Sequence, residues 1–206
     1  MMEHLFDTGS VEFLASLLGA VSKDKDCLEL ARGLLLRYGS LDNVFSSDTA
    51  QLSSVVGAQT ALYLKICAHV TGRRVTDQFR SGECYTQREI CEYLKALYIA
   101  DSEEKVYIIT LDAEERVIAT HLVSHGTVNA SEVLPRKFVE FAILDNAKCA
   151  IVAHNHPRGN TTPSSDDMQF TAKIASVFSV SGIHLLYSVI VAGQEARILD
   201  VSSTLH

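Results

Sequence analysis

Residues 149–153 read CAIVA, five positions with no polar side chain, and run straight into His154-Asn155-His156-Pro157. A strand with one wet face alternates apolar and polar residues; a strand without alternation is covered on both faces. CAIVAH therefore predicts a strand buried on both faces, as in a layered domain. Pro157 stops it.

The neighbouring segments fit such a domain. KVYIITLD (105–112) is a β-branched and aromatic run of strand character, AEE a turn, and RVIATHLVSHGTV (116–128) a second strand. Pro135 opens a helix through FVEFAILDNA; SDDMQFTAKIASVFSVSG (165–182) is another, and HLLYSVIVAG and EARILDVS are the last strands. Before them, TQREICEYLKALYI (86–99) carries Ile90, Tyr93, Leu94 and Leu97 on one stripe, with Thr86 as its cap. Strands alternating with helices predict a mixed α/β domain over 83–206.

The first part differs. VEFLASLLGAV, CLELARGLLLRY (ending in Gly39), the stretch 41–53 and VVGAQTALYLKICAHV all have helical spacing, and Gly57 supplies a tight turn within the last of them. This predicts a small all-α domain over 1–75. The apolar-poor run TGRRVTDQFRSGE marks the boundary, around 71–82.

Composition limits the partners. The net charge is −7; residues 1–75 carry 7 basic and 8 acidic side chains, residues 76–206 carry 11 and 17. Neither part has the positive field of a tight nucleic-acid binder, so weak or no DNA binding is expected. Five scattered cysteines without a Cys-x-x-Cys pair argue for a reducing compartment. With no apolar run near the roughly 18 residues that span a bilayer, and no secretory pattern in MMEHLFDTGS, the expected location is the cytoplasm. Oligomeric state is left open.

The loop AHNHPRGNTTPSSDD holds two of the 8 histidines and two of the 3 prolines. In extended backbone His154 and His156 project to one face and Asn155 to the other, so both imidazoles can reach a common ion. Gly159 and Pro163 let the chain double back, and Asp167 falls in the first turn of the next helix. Two imidazoles, one carboxylate and a position for water form a catalytic zinc set. A plainer reading competes: Ser164-x-x-Asp167 is also a capping box, with a purely structural aspartate. Both roles hold together only if the carboxylate faces the histidines.

The pattern H-x-H-P-x-G-x-x-x-P-S-x-x-D, spanning 154–167, resembles the JAMM (MPN-type) metal-binding signature as carried by bacterial RadC proteins. TLDAEERVIATHLVSHGTVNASEVLPRKFVEFAILDNAKCAIVAHNHP resembles the stretch before that motif, and LARGLLLRYGSL with VVGAQTALYLK resembles the family's helical N-terminal region, so the likeness covers nearly the whole chain. It implies a cytidine-deaminase-like layered MPN/JAMM domain after a helix-hairpin-helix-like one. It also implies one zinc ion per chain on His154, His156 and Asp167, with Ser164 holding an oxyanion. Glu104, aligned through the Leu-Asp ending of the first strand, would be the general base, with Glu103 as its neighbouring alternative. The expected reaction is hydrolysis of a peptide or isopeptide-type amide, in a family linked to DNA repair.

His121 and His125 are further candidates for the site, Asn155 a supporting or turn residue, and Cys149 a small buried side chain. Three positions depart from the family pattern. Arg158 stands where serine is usual, Tyr187-Ser188 where Asp-His is typical, and Gly57 is the one glycine left in the hairpin. The alternatives to a hydrolase are a DNA-binding repair module and a lapsed MPN-type scaffold, though a lapsed site usually loses a ligand and none is lost here.

Overall fold

The computed structural model describes residues 8–22, 26–126, 134–157 and 159–200. The chain forms two compact units: one runs to Arg73 and also takes in Ile99–Ser102, and the other comprises Arg74–Tyr98 and the chain from Glu103 onward.

The first unit is all helix: α1 (Thr8–Gly19), α2 (Cys27–Tyr38), α3 (Leu41–Ser46), α4 (Thr49–Val56) and α5, which starts at Ala58 and reaches Thr76. Leu14, Leu18, Leu34, Leu35, Leu52 and Leu64 fill its core. Local chemistry sets the helix ends. Asp26 accepts from Glu29 N, Ser40 from Asn43 N, and Gly39 closes α2 at φ 84°. Residues 41–53 are not one helix, because Asp48 accepts from Ala50 N and Gln51 N and starts α4 afresh. Gly57, at φ 81°, makes the turn between α4 and α5.

The break between the units falls inside the expected stretch 71–82, and two details of it come from the structure. Residues 71–76 remain helical, and the second unit begins at Arg74, because Phe79 stacks between Tyr85 and Tyr93 at centroid distances of 4.3 and 3.7 Å. Ile99–Ser102, which the sequence shows as the end of a helix and the residues just after it, belongs to the helical unit. The buried Lys65 ammonium holds it there, donating to Phe45 O and, at 3.3 Å, to Ala100 O.

The second unit is a mixed α/β domain built on a five-stranded sheet of order β2-β1-β3-β4-β5. The strands are β1 (Lys105–Leu111), β2 (Val117–His125), β3 (Cys149–Asn155), β4 (His184–Ala192) and β5 (Glu195–Leu199). β3 pairs antiparallel with β1 and parallel with β4. It is central, and the missing alternation in CAIVA has its cause there. Ala150 and Val152 pack under α7 (Pro135–Leu144) and α8 (Ser165–Val180), with Phe138, Phe170 and Phe178. Ile151 and Ala153 pack on the opposite face beside Ile90 and Leu94 of α6 (Gln87–Leu97). The expected cap of α6 is present as a full capping box of Thr86 and Glu89. The parallel β3–β4 pair requires a crossover, and α8 makes it. The crossover leaves the C-terminal end of β3 through residues 156–157 and 159–164.

Burial lowers the Lys65 pKa from 10.5 to about 8, against the opposing pull of Asp48 and Asp101. The unfolded chain therefore holds this proton more tightly than the folded one across that window, so stability contributed by Lys65 rises with pH. The melting temperature of the helical unit should climb between pH 7 and pH 9.5, and the slope should vanish in Lys65→Met. Thermal melts followed by circular dichroism at a series of pH values check this.

Candidate metal centre

β3 delivers the first ligand. His154 is fully buried and pairs with Val106 on one side and Ile190 on the other. His156 lies one step past the strand, yet its N–H still reaches Val191 O at 2.8 Å, so the extended geometry persists through it. The two imidazoles share one face of the sheet, as residues two apart on a strand must. Their Nε2 atoms are 3.1 Å apart.

α8 delivers the carboxylate. Ser164 caps the helix, accepting from Asp167 N at 3.1 Å, while Asp167 Oδ2 accepts from Ser164 N and Ser164 Oγ at 2.8 and 2.7 Å. The same carboxylate faces both histidines: Oδ1 is 3.0 Å from His154 Nε2 and Oδ2 is 3.5 Å from His156 Nε2. The two roles set against each other in the sequence coexist in one side chain. Burial pushes the Asp167 carboxyl up, but hydrogen bonds from His154, His156 and Ser164 outweigh it and hold the group far below the ordinary carboxylate range. The Asp167 contact raises the His156 pKa, with burial opposing and Asn160 O and Glu104 adding to the rise.

These separations suit an ion. Tetrahedral bonds of about 2.0–2.1 Å imply ligand–ligand edges of about 3.3–3.4 Å. The observed 3.0, 3.1 and 3.5 Å are close to that edge. Among the described residues this is the one cluster of three His, Cys, Asp or Glu groups placed to hold a metal. The tautomer of His156 favours coordination. Its Nδ1 lies 2.8 Å from Asn160 O, which can only accept, so Nδ1 carries the proton and Nε2 the lone pair.

Glu104 immediately precedes β1, whose Val106 pairs with His154. Its charge adds to the rise in the His156 pKa. Glu104 is half-buried, Glu103 exposed.

Residues 84–201 match the model of the RadC-like JAB domain, more than half of the chain. This protein belongs to that family. A UPF0758 protein of Cupriavidus necator is 33% identical over 205 residues, covering 96% of this chain and 90% of the relative. One from Pseudomonas entomophila is 32% identical over 187 residues, covering 89% and 83%. One from Neisseria gonorrhoeae is 30% identical over 189 residues, covering 90% and 84%.

The RadC-like JAB scaffold uses residues whose work the sequence did not disclose. Asn155 points away from the imidazoles and brackets the glutamate: its Oδ1 accepts from Lys105 N at 2.7 Å, and its Nδ2 donates to Glu103 O at 3.1 Å. The peptide on each side of Glu104 is thereby tied to β3. An Asn between two candidate ligands was the one signal the sequence offered. Gly159 is the second such residue, since a Cβ there would lie 3.3 Å from His156 Cβ.

Other candidates fall elsewhere. His121 joins a separate cluster, 2.6 Å from Asp145 Oδ2, stacked on Phe141, with Thr110 Oγ1 donating to the same oxygen. His125 is exposed at the end of β2. Tyr187 and Ser188 point to opposite faces of β4: Tyr187 packs on the α6 side, its phenol pushed up to about 12 by burial, while Ser188 is fully buried and donates to Val152 O. Arg158 lies outside the described residues.

Gly159→Ala should displace His156 without unfolding the domain. Zinc titration against a chromophoric chelator should show about a tenfold or greater loss of affinity, in the range seen when a ligand's supports are altered, with an unchanged circular dichroism spectrum.

Proposed function

We propose that this protein is a zinc-dependent hydrolase of the JAMM type that cleaves a peptide, isopeptide or similar amide bond. The observation carrying this reading is the convergence of His154 Nε2, His156 Nε2 and an Asp167 carboxylate oxygen at near-tetrahedral spacing. His154, His156 and Asp167 would hold the ion, leaving the fourth position for water. Zinc there would supply Lewis acidity and bring the pKa of a coordinated water to about 7.

The chain's own groups do the rest. Glu104 takes the proton of the attacking water on its carboxylate and hands it to the departing amine nitrogen. Asn155 keeps that carboxylate in place through the backbone on both sides of it. Ser164 gives its single hydroxyl proton to Asp167 Oδ2 at 2.7 Å. To steady an oxyanion it turns that proton toward the developing charge, which places its contribution in the transition state rather than in substrate binding.

Protein purified without chelator should contain one zinc per chain, lost in His154→Ala and Asp167→Ala, as read by elemental analysis. Glu104→Gln should keep the zinc and lose about 10²–10⁴-fold in turnover of an amide substrate. A wild-type protein that takes up no zinc on addition would instead favour a scaffold role.

Ser164→Ala separates cap from catalysis. The lost cap should cost about 1 kcal/mol of stability in denaturant melts. Loss of an oxyanion donor should lower kcat by about 10²-fold or more while KM holds.

A further inference from the structure

His156 is locked in one tautomer by a carbonyl; His154 is not. His154 Nδ1 is buried and has no hydrogen-bond partner among the described residues, and the same is true of Thr171 Oγ1. A buried polar atom left unpaired is costly, so two on facing elements need a common explanation.

Thr171 lies four residues after Asp167 on α8, hence on the same face of that helix, and Asp167 faces His154. Several hydroxyls inside this protein's helices bond back to a carbonyl three or four residues earlier, as Ser16 does to Glu12 O, Ser53 to Thr49 O, Ser54 to Gln51 O and Thr71 to Cys67 O. Thr171 Oγ1 makes no such bond, although the residue is only 1% exposed. Its hydroxyl is free to serve the interior between α8 and the sheet. A third polar group lies on the same face of the sheet. Ser188 is on β4 opposite Val152, two residues from His154's level and on its face, and α8 packs on β4. Ser188 Oγ donates to Val152 O at 3.2 Å and keeps its acceptor capacity. Three polar partners suffice to hold one internal water.

We propose that Thr171 is a positioning residue for the metal centre, its hydroxyl joined to His154 Nδ1 through one internal water that Ser188 also borders. This inference rests on the hydrolase reading for its purpose. When Nε2 carries the ring proton toward Asp167 Oδ1, Nδ1 needs a donor. When Nε2 gives its lone pair to an ion, Nδ1 carries the proton and needs an acceptor. A carbonyl such as Asn160 O serves the second state alone; a hydroxyl with a water serves both. One histidine is thus held ready for metal, and the other can change tautomer as metal arrives or leaves without stranding a buried N–H.

The test uses the full chain and two variants, Thr171→Val and Thr171→Ser, with zinc affinity measured by chelator competition and the His154 ring nitrogens followed by ¹⁵N NMR. In the wild type, the ring proton should sit on Nε2 without zinc and on Nδ1 with it. Thr171→Val should keep its melting temperature, bind zinc about 10–100-fold more weakly and shift the His154 Nδ1 resonance in the zinc-free protein. Thr171→Ser should behave as wild type. Should the valine variant fail to fold, Thr171→Ala is read in the same way. An unchanged Nδ1 resonance and unchanged zinc affinity overturn the proposal. Failure of the wild type to bind zinc overturns the hydrolase reading instead; the Nδ1 resonance of the zinc-free variants then still decides for or against Thr171.

Discussion

The carboxylate of Asp167 closes the first turn of α8 and faces the imidazoles of His154 and His156. Each of those contacts constrains the others. The capping bonds from Ser164 fix where the helix begins, which fixes the height of the carboxylate above β3. The helix, in turn, holds its place by Phe170, Ile174 and Phe178 in the core against Val152 and Leu185. The position of the Asp167 carboxylate is thus set by packing well away from it.

Two sides of one strand divide the work. Toward α8, β3 presents His154; toward the other face it presents Asn155, whose amide grips the backbone around Glu104. The period-two geometry of a strand puts a ligand and a brace in adjacent positions without competition for space. The same parity separates Tyr187 from Ser188 on β4. The pair differs from the family pattern at two adjacent positions, yet only Ser188 faces the side of the imidazoles, and its small side chain belongs to the polar interior there.

Much of this was legible in the sequence where the signal is local. Non-alternation in CAIVA announced a strand buried on both faces, Thr86 the start of α6, and Pro157 and Gly159 the turn after the histidines. Glu104 was favoured over Glu103 only through the Leu-Asp ending that aligns it with the family pattern. What could not be read depended on distant partners. Nothing near residues 99–102 reports that they pack with the helical unit; that follows from Lys65, more than thirty positions earlier, donating to Ala100 O. The division of residues 41–53 into two helices turned on Asp48 preferring the cap to a helix interior. The roles of Asn155 and Thr171 come from register and helix phase, which exist only once the elements are docked.

The three groups facing one another at this centre lie within fourteen consecutive residues, His154 to Asp167. Closing so short a loop costs little chain entropy, because the penalty grows only with the logarithm of loop length. An unfolded chain therefore already keeps its two imidazoles and its carboxylate near one another and would compete for any ion that the native fold bound. Any stabilisation of the fold by that ion is reduced by the share the unfolded chain captures. The short spacing also lets an ion meet this segment as soon as it is synthesised, ahead of β4 and β5, so that assembly of the centre and completion of the sheet can proceed in either order.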